Sequence, residues 1–178
     1  RFHIHNADME SDLKEELNSE CVNISKSIRR ISEELMPITL EKLGLKAATE
    51  NLMDQIRKAS FIKLNAFFEC NNPFVLGDKA ALSFFRIIQE LFNNILKHNN
   101  AHTIAFFYLH DDNKLEITIK DDGFFFDPKV KLRQNLHGHG LFNIESRLQL
   151  INASISFYEN KPSGTIVSVK LNRLCSEE

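Results

Sequence analysis

The stretch QELFNNILKH, residues 89–98, carries side chains suited to holding metal-bound phosphate. Ser83, Arg86, Glu90, Asn94 and Lys97 recur at steps of three or four, which aligns them on one face of a helix. Phe84, Phe85, Ile88, Leu91, Phe92, Ile95 and Leu96 fall on the other side. A plain solvated face is the alternative reading. The adjacent pair Asn93 and Asn94 weakens it, because each Asn inside a helix gives up roughly half a kcal/mol relative to Ala. A face that needed only solubility would use Glu, Lys or Gln instead. A neutral amide oxygen is a hard ligand for Mg²⁺, which keeps several waters and takes its other ligands from phosphates. Lys97, one turn beyond Asn94, adds a point charge for those phosphates.

Two later segments offer a pocket floor and an anion site. In IKDDGFFFDP, Asp121 ends a strand beside Gly123, and a glycine there lets a ligand approach the backbone closely. A tight turn with Asp as turn former is the competing reading. In HGHGLFNIESRLQL, Gly138 and Gly140 lie immediately before a helix expected from about Leu141. Freed backbone N–H groups at a helix N-terminus bind phosphate. A lone Gly-x-Gly also marks flexible loops, and His137 and His139 read as polar loop residues rather than metal ligands. Order and separation carry more weight than any one segment. Glu-x-x-x-Asn on a helix comes first, then a hairpin ending in Asp-Asp-Gly. About fifteen residues later Gly-x-Gly-Leu opens a helix, and a last strand begins with Ser-Gly-Thr.

The elements that must position these residues follow from periodicity. Leu13, Leu17, Cys21, Ile24, Ile28, Ile31 and Leu35 step by three or four along residues 9–36, a narrow seam of the coiled-coil or bundle kind. Pro37 stops that helix, and the stripe calls for a partner helix. After a connector with Pro37 and Gly44, residues 45–59 read as a short amphipathic helix and 61–69 as a strand. Asp78 is expected to cap a helix running to about His98. Strands are expected from Thr103 and Lys114, and then as SISFYE and TIVSVKL around the turn NKPSG. Interspersed helices and hairpin-linked strands predict an α+β fold: a two-layer sandwich, its mixed and largely antiparallel sheet covered by helices on one face.

Bulk properties bound the function. A net charge of −2 over 178 residues gives no global basic field to gather nucleic acid. No apolar run approaches the roughly 18–20 residues of a membrane span, and RFHIHNADMESD has no apolar secretion core. Cys21, Cys70 and Cys175 are far apart without metal-ligand spacing, so a reduced, cytoplasmic compartment fits best.

Taken together these segments resemble the histidine kinase and gyrase-type ATPase superfamily, the Bergerat ATP-binding fold. QELFNNILKH is similar to its N box, DDGFFFD to the first glycine box, GHGLFNI to the second, and PSGTIVSVKL to its closing strand. The forms Q-E-x-x-x-N-x-x-K-H and G-x-G-L-x-N-I-x-x-R resemble sensor kinases that pair with helix-turn-helix response regulators. IRRISEELMPITLEKLGL resembles the second dimerisation helix and linker of that group, so residues 1–43 are expected to belong to the dimerisation region and 44–174 to the catalytic domain.

The resemblance implies ATP and Mg²⁺ as ligands, with Asn94 the metal ligand and Glu90 a catalytic or water-orienting carboxylate. It puts Lys97 and His98 near the phosphates, Asp121 on the adenine amino group and Gly123 beneath the ring. Gly138, His139, Gly140 and Leu141 become the phosphate-facing hinge of a lid from about 127 to 139, and Thr165 sits near adenine. The implied partners are a second copy, through the N-terminal helix, and a response regulator. The fragment itself would make no direct membrane contact, whether or not the whole sensor is membrane-anchored.

Two departures from the family pattern stand out. Phe125 replaces the last glycine of the first glycine box, which could narrow the pocket or re-aim the lid. No Arg-x-Ala-x-x-Leu-His-Asp acceptor box is present; His3 and His5 lie in the wrong place, so the acceptor histidine is expected outside this fragment. Alternatives are a degenerate kinase serving as a dimerising scaffold, and another enzyme of this fold such as an anti-sigma-factor serine kinase or an ATPase.

Overall fold

The computed structural model describes residues 37–125 and 139–173. The helical seam expected over 9–36 and most of the expected lid lie outside them. In chain order the elements are α1 (Ile38–Ala59), β1 (Lys63–Cys70), α2 (Asp78–His98), β2 (Thr103–His110) and β3 (Lys114–Asp121). α3 (His139–Leu150), β4 (Ser154–Glu159) and β5 (Thr165–Asn172) follow. The sheet runs β1-β2-β3-β5-β4. β1 pairs parallel to β2, and every other pairing is antiparallel. The mixed, largely antiparallel sheet predicted from the hairpin-linked pattern is thus present. Among the described residues no helix is long and apolar enough to cross a membrane.

Strict alternation on the central strands decides which side faces the helices. Ile104, Phe106 and Tyr108 on β2, and Leu115, Ile117 and Ile119 on β3, are buried at every second position. Phe84, Phe85, Ile87, Ile88, Leu91, Phe92 and Ile95 of α2 fill the other side of that core. Leu96, assigned above to the same apolar side, is instead exposed, because it sits at the edge of the stripe in the last turn. Ile87 takes the buried place.

Three boundaries differ from expectation for physical reasons. Residues 38–43 are helical rather than a connector: Pro37 stands at the N-cap, its carbonyl accepts from the Leu40 and Glu41 N–H groups, and Leu40 is buried. Gly44 then breaks the helix with a φ of 80°, a left-handed conformation that glycine takes without Cβ cost. Asp78 does not cap α2. Gly77 holds the N-cap position without a side-chain bond, and Asp78 opens the first turn, where its charge opposes the positive end of the helix dipole. Finally, α3 starts at His139, so Gly140 lies inside the helix instead of in the loop before it.

His110 is a titratable group buried beside this core. His110 ends β2 with 6% of its surface exposed, set edge-on to Phe74 at 4.8 Å, and its Nε2 finds no partner among the described residues. Burial pushes its imidazole below the ordinary 6.5, against the opposing field of Asp111. The unfolded chain therefore takes up a proton near pH 6.5 while the native state does not, and stability is lost as pH falls below that value. Thermal melts of the wild type are expected to decline from pH 7 to 5. A His110→Phe variant should lose that part of the decline, and an identical pH profile would show that His110 is not its source.

Candidate nucleotide-binding site

α2 ends against the end of β3, and this junction assembles the polar residues. Asp121 is 1% exposed, yet its carboxylate is satisfied. Oδ1 accepts the Gly123 N–H at 3.0 Å, Oδ2 accepts the Asn99 side-chain amide at 3.3 Å, and the Thr165 backbone N–H donates to the same group. Burial pushes the carboxyl above the ordinary carboxylate range, and these three donors hold it back. A buried acceptor fixed on one side by main chain is suited to reading a donor on a flat ligand.

Glycines bring the surrounding backbone close. A Cβ placed on Gly123 would run into the Asn99 carbonyl oxygen, and one on Gly164 into the Asp121 carbonyl oxygen. Gly164 also has a φ of 109°, so the β4–β5 turn closes on Asp121 only with glycine there. The Asn160 amide donates to that same Asp121 carbonyl at 2.7 Å, and Ser163 donates to the Asp122 carbonyl at 2.9 Å. Asp122 points the other way, accepting the backbone N–H groups of His102 and Thr103 and the Thr103 hydroxyl. The two adjacent aspartates thus divide into a buried acceptor and a surface tie that anchors the start of β2.

Asn94, Asn99, Asp121, Leu141 and Thr165 line one cavity between α2, α3 and β5, walled by Leu91, Ile95, Phe157 and Val167. It holds about 20 Å³, room for about one water, so a purine enters only as the apolar walls part. Thr165 also donates from its hydroxyl to the Phe124 carbonyl at 3.3 Å, tying the closing strand to the glycine box. Glu90, half-buried on α2, packs its carboxylate against Gly140, whose absent Cβ makes the room. Lys97 and His98 are exposed beyond Asn94 at the helix end. Gly138 lies outside the described residues, and His139 is the first residue of α3.

The predicted residues converge only in part. Asn94, Asp121, Leu141 and Thr165 meet in the cavity, Gly123 lies beneath the Asn99 carbonyl, and Glu90 meets Gly140. Sequence reasoning missed Asn99, Asn160 and the contact that Gly164 makes, because these roles depend on the end of β3 meeting the end of α2 and the β4–β5 turn across the fold. Phe125 is 44% exposed and is not among the cavity-lining residues, so its ring does not narrow this space. Among the described residues no group of three or more His, Cys, Asp or Glu side chains is placed to hold a metal. A cation here must rely on an amide and on phosphate oxygens.

A larger cavity, about 1020 Å³, lies elsewhere, walled by Phe74, Val75, Lys79, Leu150 and Arg173 among others. It contains none of the predicted residues. The smaller cavity, where Asn94, Asp121, Leu141 and Thr165 meet, is therefore the better site.

The family described as histidine kinase-, DNA gyrase B-, and HSP90-like ATPase matches residues 79–174. A protein of Chloroflexus aurantiacus described as an uncharacterized sensor-like histidine kinase is 30% identical over 159 residues, covering 87% of this chain and 27% of its own. The sensor histidine kinase MctS of Rhizobium johnstonii is 33% identical over 137 residues, covering 72% and 29%. The chain therefore spans less than a third of the length of these curated relatives. Among solved structures, the Acinetobacter baumannii histidine kinase AdeS has a TM-score of 0.57 at 16% identity, over 89% of this chain and 85% of that one. The blue-light activated histidine kinase of Erythrobacter litoralis EL346 has a TM-score of 0.56 at 17% identity, over 69% and 40%. At such identities these two likenesses speak for the fold alone.

Proposed function

The chain belongs to the histidine kinase-, DNA gyrase B-, and HSP90-like ATPase family, and on that premise we propose that it is the catalytic part of a sensor histidine kinase. It would bind ATP and transfer the γ-phosphoryl group to a histidine. The observation that carries this reading is the buried, triply hydrogen-bonded Asp121 facing Asn94 across one cavity.

In the proposed reaction the bond between the γ-phosphorus and its bridging oxygen breaks, and a bond to an imidazole nitrogen forms. ADP departs with the electron pair, and the phosphoryl group later passes to an aspartate of a response regulator. Asp121 accepts from the adenine amino group, with Gly123 beneath the ring and Thr165 beside it. Asn94 offers its amide oxygen to Mg²⁺, while Lys97 and His98 face the phosphates. Bound Mg²⁺ supplies charge neutralisation on the β- and γ-phosphates. Glu90, held against Gly140 at the start of α3, orients the attacking imidazole or takes its proton. Gly138, His139, Gly140 and Leu141 form the phosphate-facing hinge. Residues 1–43 are proposed as part of a dimerisation region and 44–174 as the catalytic domain, acting as a dimer in the cytoplasm. The scaffold alternative rested on Phe125, whose ring stands outside the cavity lining.

Calorimetric titration with ADP or a non-hydrolysable ATP analogue, with and without Mg²⁺, tests the proposal. Saturable binding tightened by Mg²⁺ is expected, and no binding at millimolar nucleotide by a folded chain would sink it. Asn94 is half-buried and its apolar neighbours face the core, so Asn94→Ala should leave the fold intact. It should remove the tightening by Mg²⁺, a loss of roughly tenfold with one metal ligand gone. Unchanged Mg²⁺ dependence would refute the metal assignment.

A further inference from the structure

Asn99 is placed as an unusual residue for the end of a helix. It follows the last residue of α2, its N–H donates to the Ile95 carbonyl at 3.1 Å, and it is only 6% exposed. The left-handed turn that commonly follows a helix is supplied by the next residue, Asn100, with a φ of 49°. Capping therefore does not explain a buried amide at position 99. Its side chain enters the cavity that Asp121 lines and donates through Nδ2 to Asp121 Oδ2.

A carboxylate only accepts, so the amide must turn its NH₂ toward Asp121 and keep its carbonyl oxygen Oδ1 for another donor. The backbone of Asn99 is equally constrained: its carbonyl accepts the Phe124 N–H at 2.9 Å, and Gly123 packs directly against it. Side chain and main chain of one residue thus lock the helix end to the glycine box, with little freedom for the amide to swing away.

We infer that Asn99 is a second base-reading residue, whose Oδ1 accepts one hydrogen of the purine 6-amino group while Asp121 accepts the other. This rests on the nucleotide-binding reading above. Two acceptors side by side match a group that donates twice. A 6-oxo purine, which only accepts at that position, would face both of them and lose both hydrogen bonds. A site built to hydrogen-bond a substrate group rejects the analogue lacking it more strongly than apolar pockets discriminate by size.

The test compares ADP, N6-methyl-ADP and inosine diphosphate by calorimetry, on the wild-type chain and on Asn99→Ala. With both amino hydrogens in use, the wild type should bind N6-methyl-ADP roughly tenfold more weakly than ADP, and inosine diphosphate more weakly still. In Asn99→Ala the methyl penalty should disappear, and the preference for ADP over inosine diphosphate should narrow by roughly tenfold. A merely structural role would weaken all three ligands together and leave those ratios unchanged. If the variant does not fold, the wild-type ratios alone decide: N6-methyl-ADP binding as tightly as ADP would overturn the inference while leaving Asp121 as sole reader. Equal binding of ADP and inosine diphosphate by the wild type would overturn the Asp121 assignment as well.

Discussion

Replacing Asp121 by asparagine is expected to abolish tight adenine-nucleotide binding with a change of one heavy atom. The carboxylate presents two accepting oxygens to three donors, the N–H groups of Gly123 and Thr165 and the Asn99 amide. An asparagine presents one accepting oxygen, so its NH₂ must face at least one of those donors inside a site that is 1% exposed. Bonds to charged acceptors are worth roughly 1.5–3 kcal/mol, so losing the one to the ligand predicts about a hundredfold weaker ADP binding. The unmatched donor inside the protein should cost about 2 kcal/mol of stability, read as a lower denaturant midpoint. The pH dependence offers a separate check. Burial raises the Asp121 carboxyl, so wild-type ADP affinity should fall on acidification at a higher pH than a solvated aspartate would dictate. Folding carries the opposite sign. The native state holds that proton more tightly than the unfolded chain, so Asp121 costs stability as pH rises through the window between the two pKa values. Asp121→Asn should lack both effects. ADP binding as tight as the wild type would show that the base is read elsewhere.

How much of this was legible in the sequence depends on the range of the interaction. α2 was visible because its stripe repeats within one segment, and its span, Asp78–His98, differs from the expectation only in that Asp78 opens the helix instead of capping it. β2, β3, β4 and β5 were visible because alternation and turn residues are local too. Helix formation at 38–43 was not, since it depends on Leu40 finding the core and on the break being taken up at Gly44. Gly140 read as a loop glycine because a Gly-x-Gly looks the same whether its freedom serves a turn or a close contact. Its packing against Glu90 depends on α2 and α3 lying side by side, which no local pattern reveals. Asn99 escaped notice for the same reason. An asparagine after a helix looks like a cap, and only the arrival of β3, 22 residues later, turns it into the partner of Asp121.

The two glycines of the site predict opposite kinds of damage. At Gly123 an added Cβ meets backbone, the Asn99 carbonyl carbon and oxygen and the Ala101 nitrogen. Backbone at a helix end held by its own hydrogen bonds cannot step aside alone. Gly123→Ala must push the glycine box away from α2, straining the Phe124 bond to Asn99 and displacing Asp121. Overpacking of this sort costs about 1–3 kcal/mol, and binding should fall with it because the cavity floor moves. At Gly140 the three nearest atoms the added Cβ meets all belong to the Glu90 side chain. A carboxylate on a flexible stem yields by changing rotamer, so Gly140→Ala should leave stability within about 0.5 kcal/mol. The proposed catalytic carboxylate is then turned out of place, and phosphoryl transfer at saturating nucleotide should fall by roughly a hundredfold, the scale typical of losing a positioned acid or base. Paired denaturant titrations and transfer assays, with the acceptor histidine supplied, separate the two. If Gly140→Ala transferred phosphate at the wild-type rate while stably folded, Glu90 would not be the catalytic carboxylate. If Gly123→Ala melted and bound ADP like the wild type, the close seat of the glycine box on Asn99 would not be what shapes the adenine floor.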